Sequence, residues 1–194
     1  MQKYENILLD FTGYSFQHLR IFYKFFDLSG GLLGVANSVV SFVMVTTIEV
    51  PRSTVLPSAL GVVPFVGLAT IAALGGESLR ATAITGIVAY GAVILSFLGG
   101  VQWGLAVHHG AVNGPNPSLL WIGVAPSLAG WLALLQPWPT VGAVLLAVSF
   151  VVVLLIDVWL TRRGGAPVWY PRLRIPLTTA VVTCLGVAGL AAGL

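Results

Sequence analysis

The polar residues that interrupt the long apolar stretches of this chain are few, and each sets a chemical expectation. Asp157 stands near the end of the apolar run Val141–Leu160, just before Arg162 and Arg163. A carboxylate there could relay protons or hold a substrate. It has no second intramembrane acid or histidine to work with, so the simpler expectation is an ion pair with Arg162 or Arg163 at headgroup depth. Gln102 and Trp103 lie close to the end of another apolar run, and Tyr90, Ser96 and Gln136 complete the polar set. His108-His109 invites a metal or haem reading. Adjacent helical residues point about 100° apart, however, and cannot grip one ion together. A bis-histidine haem would need a second histidine on a facing helix, and His18 is the only one left. There is no Gly-x-Ser-x-Gly elbow, no His-Glu-x-x-His pair and no phosphate-cradling Gly-x-x-x-x-Gly-Lys loop. No catalytic, cofactor-binding or metal-binding residue is therefore assigned. Gln102, Trp103, Asp157, Arg162 and Arg163 are the candidate contacts to a ligand or a partner.

The elements that must position these groups are membrane helices. From Ala81 to Ile156 there is no Asp, Glu, Lys or Arg, and a water-facing surface cannot be assembled from such a stretch. Charged residues make up 8% of the 194 positions, against about 25% in soluble proteins. Crossing the ~30 Å hydrocarbon layer takes about 20 apolar residues in a helix. Five stretches qualify: Thr54–Leu74, Ala81–Val107, Ser118–Gln136, Val141–Leu160 and Ile175–Leu194. The expected fold is all-α, a polytopic transmembrane bundle with five core helices over residues 51–194. A sixth or interfacial helix belongs to an N-terminal extension over residues 1–50.

That extension is ambiguous. Met1–Asp27 is aromatic-rich and of mixed charge, as an interfacial helix would be. Leu28–Ile48 is apolar but carries Asn37 and several hydroxyl residues. If the arginine-rich segment Arg162–Arg174 is cytoplasmic, alternation puts Arg52 inside as well and Arg80 outside, a clear positive-inside bias. A spanning Leu28–Ile48 would move Lys3, Arg20 and Lys24 outside and erase most of it. The first 50 residues therefore rest on the cytoplasmic face, or Leu28–Ile48 crosses despite those charges, or residues 1–43 precede a natural start at Met44. The expected frame is core N-terminus inside, C-terminus outside, in a bacterial inner membrane. Its partners are the lipid bilayer and other membrane subunits, not nucleic acid.

Packing signals outnumber chemical ones. Ala92, Ser96, Gly100 and Gly104 recur every four residues along the second helix, a spacing that keeps them on one side. Small residues let helix backbones approach where lipid removes the hydrophobic incentive. Gly189 and Gly193 repeat the spacing in the last helix, and Gly123 and Ser127 in the third. Pro57, Pro64 and Pro126 each remove a backbone donor and should kink their helices. Trp103, Trp121, Trp138, Trp159 and Trp169 sit near helix ends, as interfacial anchors do, with Trp131 deeper. Cys184, the lone cysteine, lies in an apolar run and reads as a packed hydrophobe.

Several blocks of the chain resemble one family. They are Leu56-Pro57 with Gly61-Val62-Val63-Pro64-Phe65, the run Tyr90 to Gly104, Ala125-Pro126-Ser127, and Pro167 to Thr178. The resemblance is to the transmembrane protein 69, or domain of unknown function 3429, family, and covers Pro51 to the C-terminus. It implies a small multi-pass protein of bacterial inner membranes and mitochondria. It implies no activity, and no catalytic residue is carried over.

Two functional expectations follow. The first is a non-enzymatic accessory or assembly subunit that docks to a larger membrane complex through its small-residue helix faces. The second is a binder or carrier of a small lipid-like molecule or quinone, in a cavity bounded by Pro64, Pro126, Gln102 and Trp103. A membrane enzyme ranks third for want of converging acid, base and nucleophile. Five core helices cannot divide into the equal halves of an inverted-repeat transporter.

Overall fold

The computed structural model describes residues 50–109, 114 and 117–193. The expected interfacial helix, the apolar segment Leu28–Ile48, His18 and most of the loop after His109 lie outside the described residues. Within them every regular element is an α-helix: α1 (Arg52–Leu60), α2 (Val63–Leu74), α3 (Glu77–His109), α4 (Pro117–Leu134), α5 (Pro139–Arg162) and α6 (Tyr170–Ala191). Five segments are long and apolar enough to cross a bilayer, with α1 and α2 together forming the first, Arg52–Leu74. The last begins at Tyr170 rather than Ile175 because Pro171 fills its first turn, where no backbone donor is needed. Arg172 and Arg174 therefore belong to the helix and not to a loop.

The first span is broken rather than bent. Pro57 lies inside α1, but Pro64 falls in the first turn of α2, so it starts a segment instead of kinking one. The break leaves Gly61 between the two segments, and in lipid its carbonyl needs a partner. Tyr90 supplies one: its hydroxyl donates to the Gly61 oxygen at 3.1 Å. The Tyr90 ring stands edge-on to Phe65 with centroids 5.0 Å apart, and Phe65 meets Phe150 of α5 in the same way at 6.2 Å. Fully buried Phe65 is the knot where α2, α3 and α5 meet.

Helix α3 packs against α2, α4, α5 and α6, as expected of a central helix. It shares the centre with α6, whose Leu177, Val181, Cys184, Leu185 and Ala188 are all buried. At 33 residues α3 is about 50 Å long, more than the hydrocarbon is thick. Its ends, with Glu77 and Arg80 at one and His108 at the other, therefore reach headgroup depth. Trp121, Trp131 and Trp138 are exposed on the lipid side.

Candidate functional site

Antiparallel packing of α5 and α6 decides where Asp157 points. Arg162 and Arg163 follow it by five and six residues, which on one helix is about 140° and 240° around the axis. Neither can meet it. Arg174, across the hairpin, can: its Nε donates to Asp157 Oδ2 at 2.8 Å. Gln102 of α3 completes the set, its Nε2 donating to Asp157 Oδ1 at 3.3 Å. The expected pairing with Arg162 or Arg163 at headgroup depth is thus corrected to a buried pair shared by three helices. Residual exposures are 1% for Asp157, 2% for Gln102, 7% for Arg174 and 3% for neighbouring Thr178. Arg163 instead lays its guanidinium over the Trp159 ring, 4.3 Å from the centroid. Arg162 is exposed at the end of α5.

The cluster lies one to two turns inside the end of the bundle where α3 and α5 finish and α6 begins. Three of its atoms are buried without a hydrogen-bond partner among the described residues: Arg174 Nη2, Gln102 Oε1 and Thr178 Oγ1. Thr178 departs from the habit of this fold. Thr70, Ser149, Thr161, Thr179 and Thr183 all donate to the carbonyl four residues earlier. That is the usual way a hydroxyl is satisfied in a membrane helix. Thr178 lies one turn beyond Arg174 on the same face of α6 and does not do so.

Arg174 and Thr178 are not among the candidates that the sequence singles out, although it holds a signal for the first. Asp157 and Arg174 lie at nearly equal distances on either side of the short connection between α5 and α6. In an antiparallel hairpin such residues face each other.

The small residues divide between two faces of α3. Ala92 is buried against α4, where a Cβ on Gly130 would lie 3.0 Å from its carbonyl. The closest approach, however, falls at Gly99, where a Cβ would collide with the carbonyl of Gly123. A Cβ on Gly123 would in turn lie 2.6 Å from Cδ1 of Trp103, whose indole lies over that glycine. Ser96 is half-buried. Gly100 and Gly104 are exposed, and a Cβ added to either would meet no atom within 4 Å. They share the outer side of α3 with the exposed Val93 and Phe97. Gly189 is buried, with Ala143 and Thr140 of α5 at ordinary contact distance, while Gly193 is exposed. Gln102 turns toward α5 and α6, away from the side of Pro64, Pro126 and Trp103 expected of it. Trp103 and Pro126 pack instead along the α3–α4 seam.

Comparison with known proteins agrees with this architecture. The family model described as "Protein of unknown function (DUF3429)" matches residues 50–190. Transmembrane protein 69 of Xenopus tropicalis is 34% identical over 138 residues, which are 71% of this chain and 53% of that protein. The chain thus spans about half the length of that relative. No solved structure matches.

Proposed function

This chain belongs to the DUF3429 family, and from that premise we propose that it is a non-enzymatic accessory or assembly subunit of a larger membrane complex. The outer side of α3 is its docking face. One observation carries the reading. Gly100 and Gly104 sit one turn apart inside a long helix, and nothing in the bundle needs their lack of a side chain. A glycine in a helix interior costs about 0.5–1 kcal/mol relative to alanine. A neighbouring transmembrane helix would use the space, since small residues are what let backbones meet in lipid. Single open glycines also occur inside helices at Gly67 and Gly186, but not as a pair one turn apart.

Purified from its own membrane in mild detergent, the tagged protein is expected to carry a stoichiometric membrane partner. Gly100→Leu and Gly104→Leu should each release it without lowering the melting temperature. A Cβ at either position meets nothing in the bundle, and the helix loses an interior glycine. A lone wild-type species, or a partner retained by both variants, would refute the docking face.

The orientation belongs to the same reading. Arg52, Arg162, Arg163 and Arg172 lie at the start of α1, the end of α5 and the start of α6, with Arg80 at the opposite end. Arg174, being buried, drops out of the bias but does not reverse it. We place the four-arginine end in the cytoplasm of a bacterial inner membrane. A reporter fused after Leu194 and active only outside the cytoplasm should therefore be active. A silent reporter on a stably inserted fusion would invert the topology.

A further inference from the structure

We propose that the Gln102–Asp157–Arg174–Thr178 cluster binds the hydroxyl of a neutral, membrane-soluble alcohol, such as a glyceride or quinol head group. The unmet hydrogen bonds of its buried atoms define what would fit. Arg174 Nη2 has an N–H to give, Thr178 Oγ1 has an O–H to give, and Gln102 Oε1 has lone pairs to receive. A hydroxyl oxygen accepts two hydrogen bonds and donates one, so a single hydroxyl can receive one from Arg174 Nη2 and one from Thr178 Oγ1 and give one to Gln102 Oε1. Two of the three atoms belong to side chains that bind one carboxylate, and the third to a buried residue beside Arg174 on α6. Asp157 binds Arg174 through one oxygen and Gln102 through the other, and Thr178 follows Arg174 by one turn.

Charge selects the class. The Asp157 carboxylate and the Arg174 guanidinium already cancel. An anionic head would be left facing Asp157, and a cationic one facing Arg174, in surroundings where an uncompensated charge is costly. A neutral head adds no such penalty. The depth also fits, because a site one to two turns inside the bundle end is where the polar head of a lipid with its tail in hydrocarbon resides. Thr178 points the same way independently. Its hydroxyl forgoes the backbone carbonyl that the other spanning hydroxyls named above use, and a buried hydroxyl left unpaired is destabilising. A ligand hydroxyl removes that cost.

The test uses wild-type protein purified in mild detergent and extracted into organic solvent, with hydroxyl-bearing neutral lipids quantified by mass spectrometry per mole of protein. About one equivalent is expected in wild type and in Thr178→Ser. Thr178→Val keeps the shape and loses the hydroxyl, and should retain about five- to tenfold less, the ratio that one lost buried hydrogen bond produces. Thr178→Val should also melt no higher than wild type, since it loses a stabilising ligand. Three results overturn the proposal: wild type without a stoichiometric neutral alcohol, as when water alone fills the site; equal content in Thr178→Val; or a Thr178→Val protein that melts above wild type, as removal of a merely unpaired hydroxyl would produce. The wild-type measurement decides the matter even if a variant fails to fold.

Discussion

Arg174→Met, with Asp157 retained, is expected to destabilise the bundle by about 3–5 kcal/mol, and Asp157→Leu by a similar amount. The size follows from burial. A solvent-exposed ion pair contributes about 0–1 kcal/mol, and the pairing expected between Asp157 and Arg162 or Arg163 would have belonged to that class. The observed pair is almost wholly removed from solvent, at 8% side-chain exposure for Arg174 and 1% for Asp157. Taking away either member strands the other charge in a low-dielectric interior. The double variant Asp157→Leu/Arg174→Met removes both charges and should recover most of the loss, because apolar side chains of similar volume replace buried pairs at little cost. Denaturant unfolding of all four proteins in detergent micelles completes the cycle. Single variants within about 1 kcal/mol of wild type would mean that the pair is effectively solvated.

The pair also ties the architecture together. Asp157 and Arg174 fasten α5 to α6, and Gln102 adds α3, so three of the five spans among the described residues are registered at one point. Helix α3 thus has two distinct sides. Gln102 faces inward to the polar cluster, while Gly100 and Gly104 open outward. A partner docked on the outer side would bear on the same helix that holds the cluster's third member.

How much of this is legible in the sequence depends on the range of the interaction. Membrane spans are set by local composition, and all five are readable to within a few residues at most ends. Proline positions are readable too, but their consequence is not. Pro64 looks like a kink in isolation, and only the break at Gly61, sealed by Tyr90 of α3, shows that it begins a new segment. The polar site is half legible. Asp157 and Gln102 stand out because they interrupt apolar runs, whereas Arg174 is absorbed into a cluster that the positive-inside rule already explains. The periodicity of Ala92, Ser96, Gly100 and Gly104 is visible, but a repeat of four says nothing about which neighbour each member meets. Gly99, outside the repeat, makes the tightest approach.

That last contrast gives the sharpest expected difference between adjacent residues. Gly100→Ala should stabilise by about 0.5–1 kcal/mol, because it removes a helix-interior glycine and its new methyl meets nothing. Gly99→Ala gains the same propensity, yet is expected to lose about 1–3 kcal/mol net, and Gly99→Val to lose more. The obstacle at Gly99 is the carbonyl of Gly123, which is backbone and cannot rotate aside, with Cβ of Pro126 only 3.4 Å away. Relief requires α4 to move off α3 as a body. That movement would also lift the Trp103 indole from its seat over Gly123, so tryptophan emission should shift along with the loss of stability. Thermal unfolding of the two alanine variants in one detergent is sufficient to judge the matter. Changes of the same sign would show that α3 and α4 are not in backbone contact at this level.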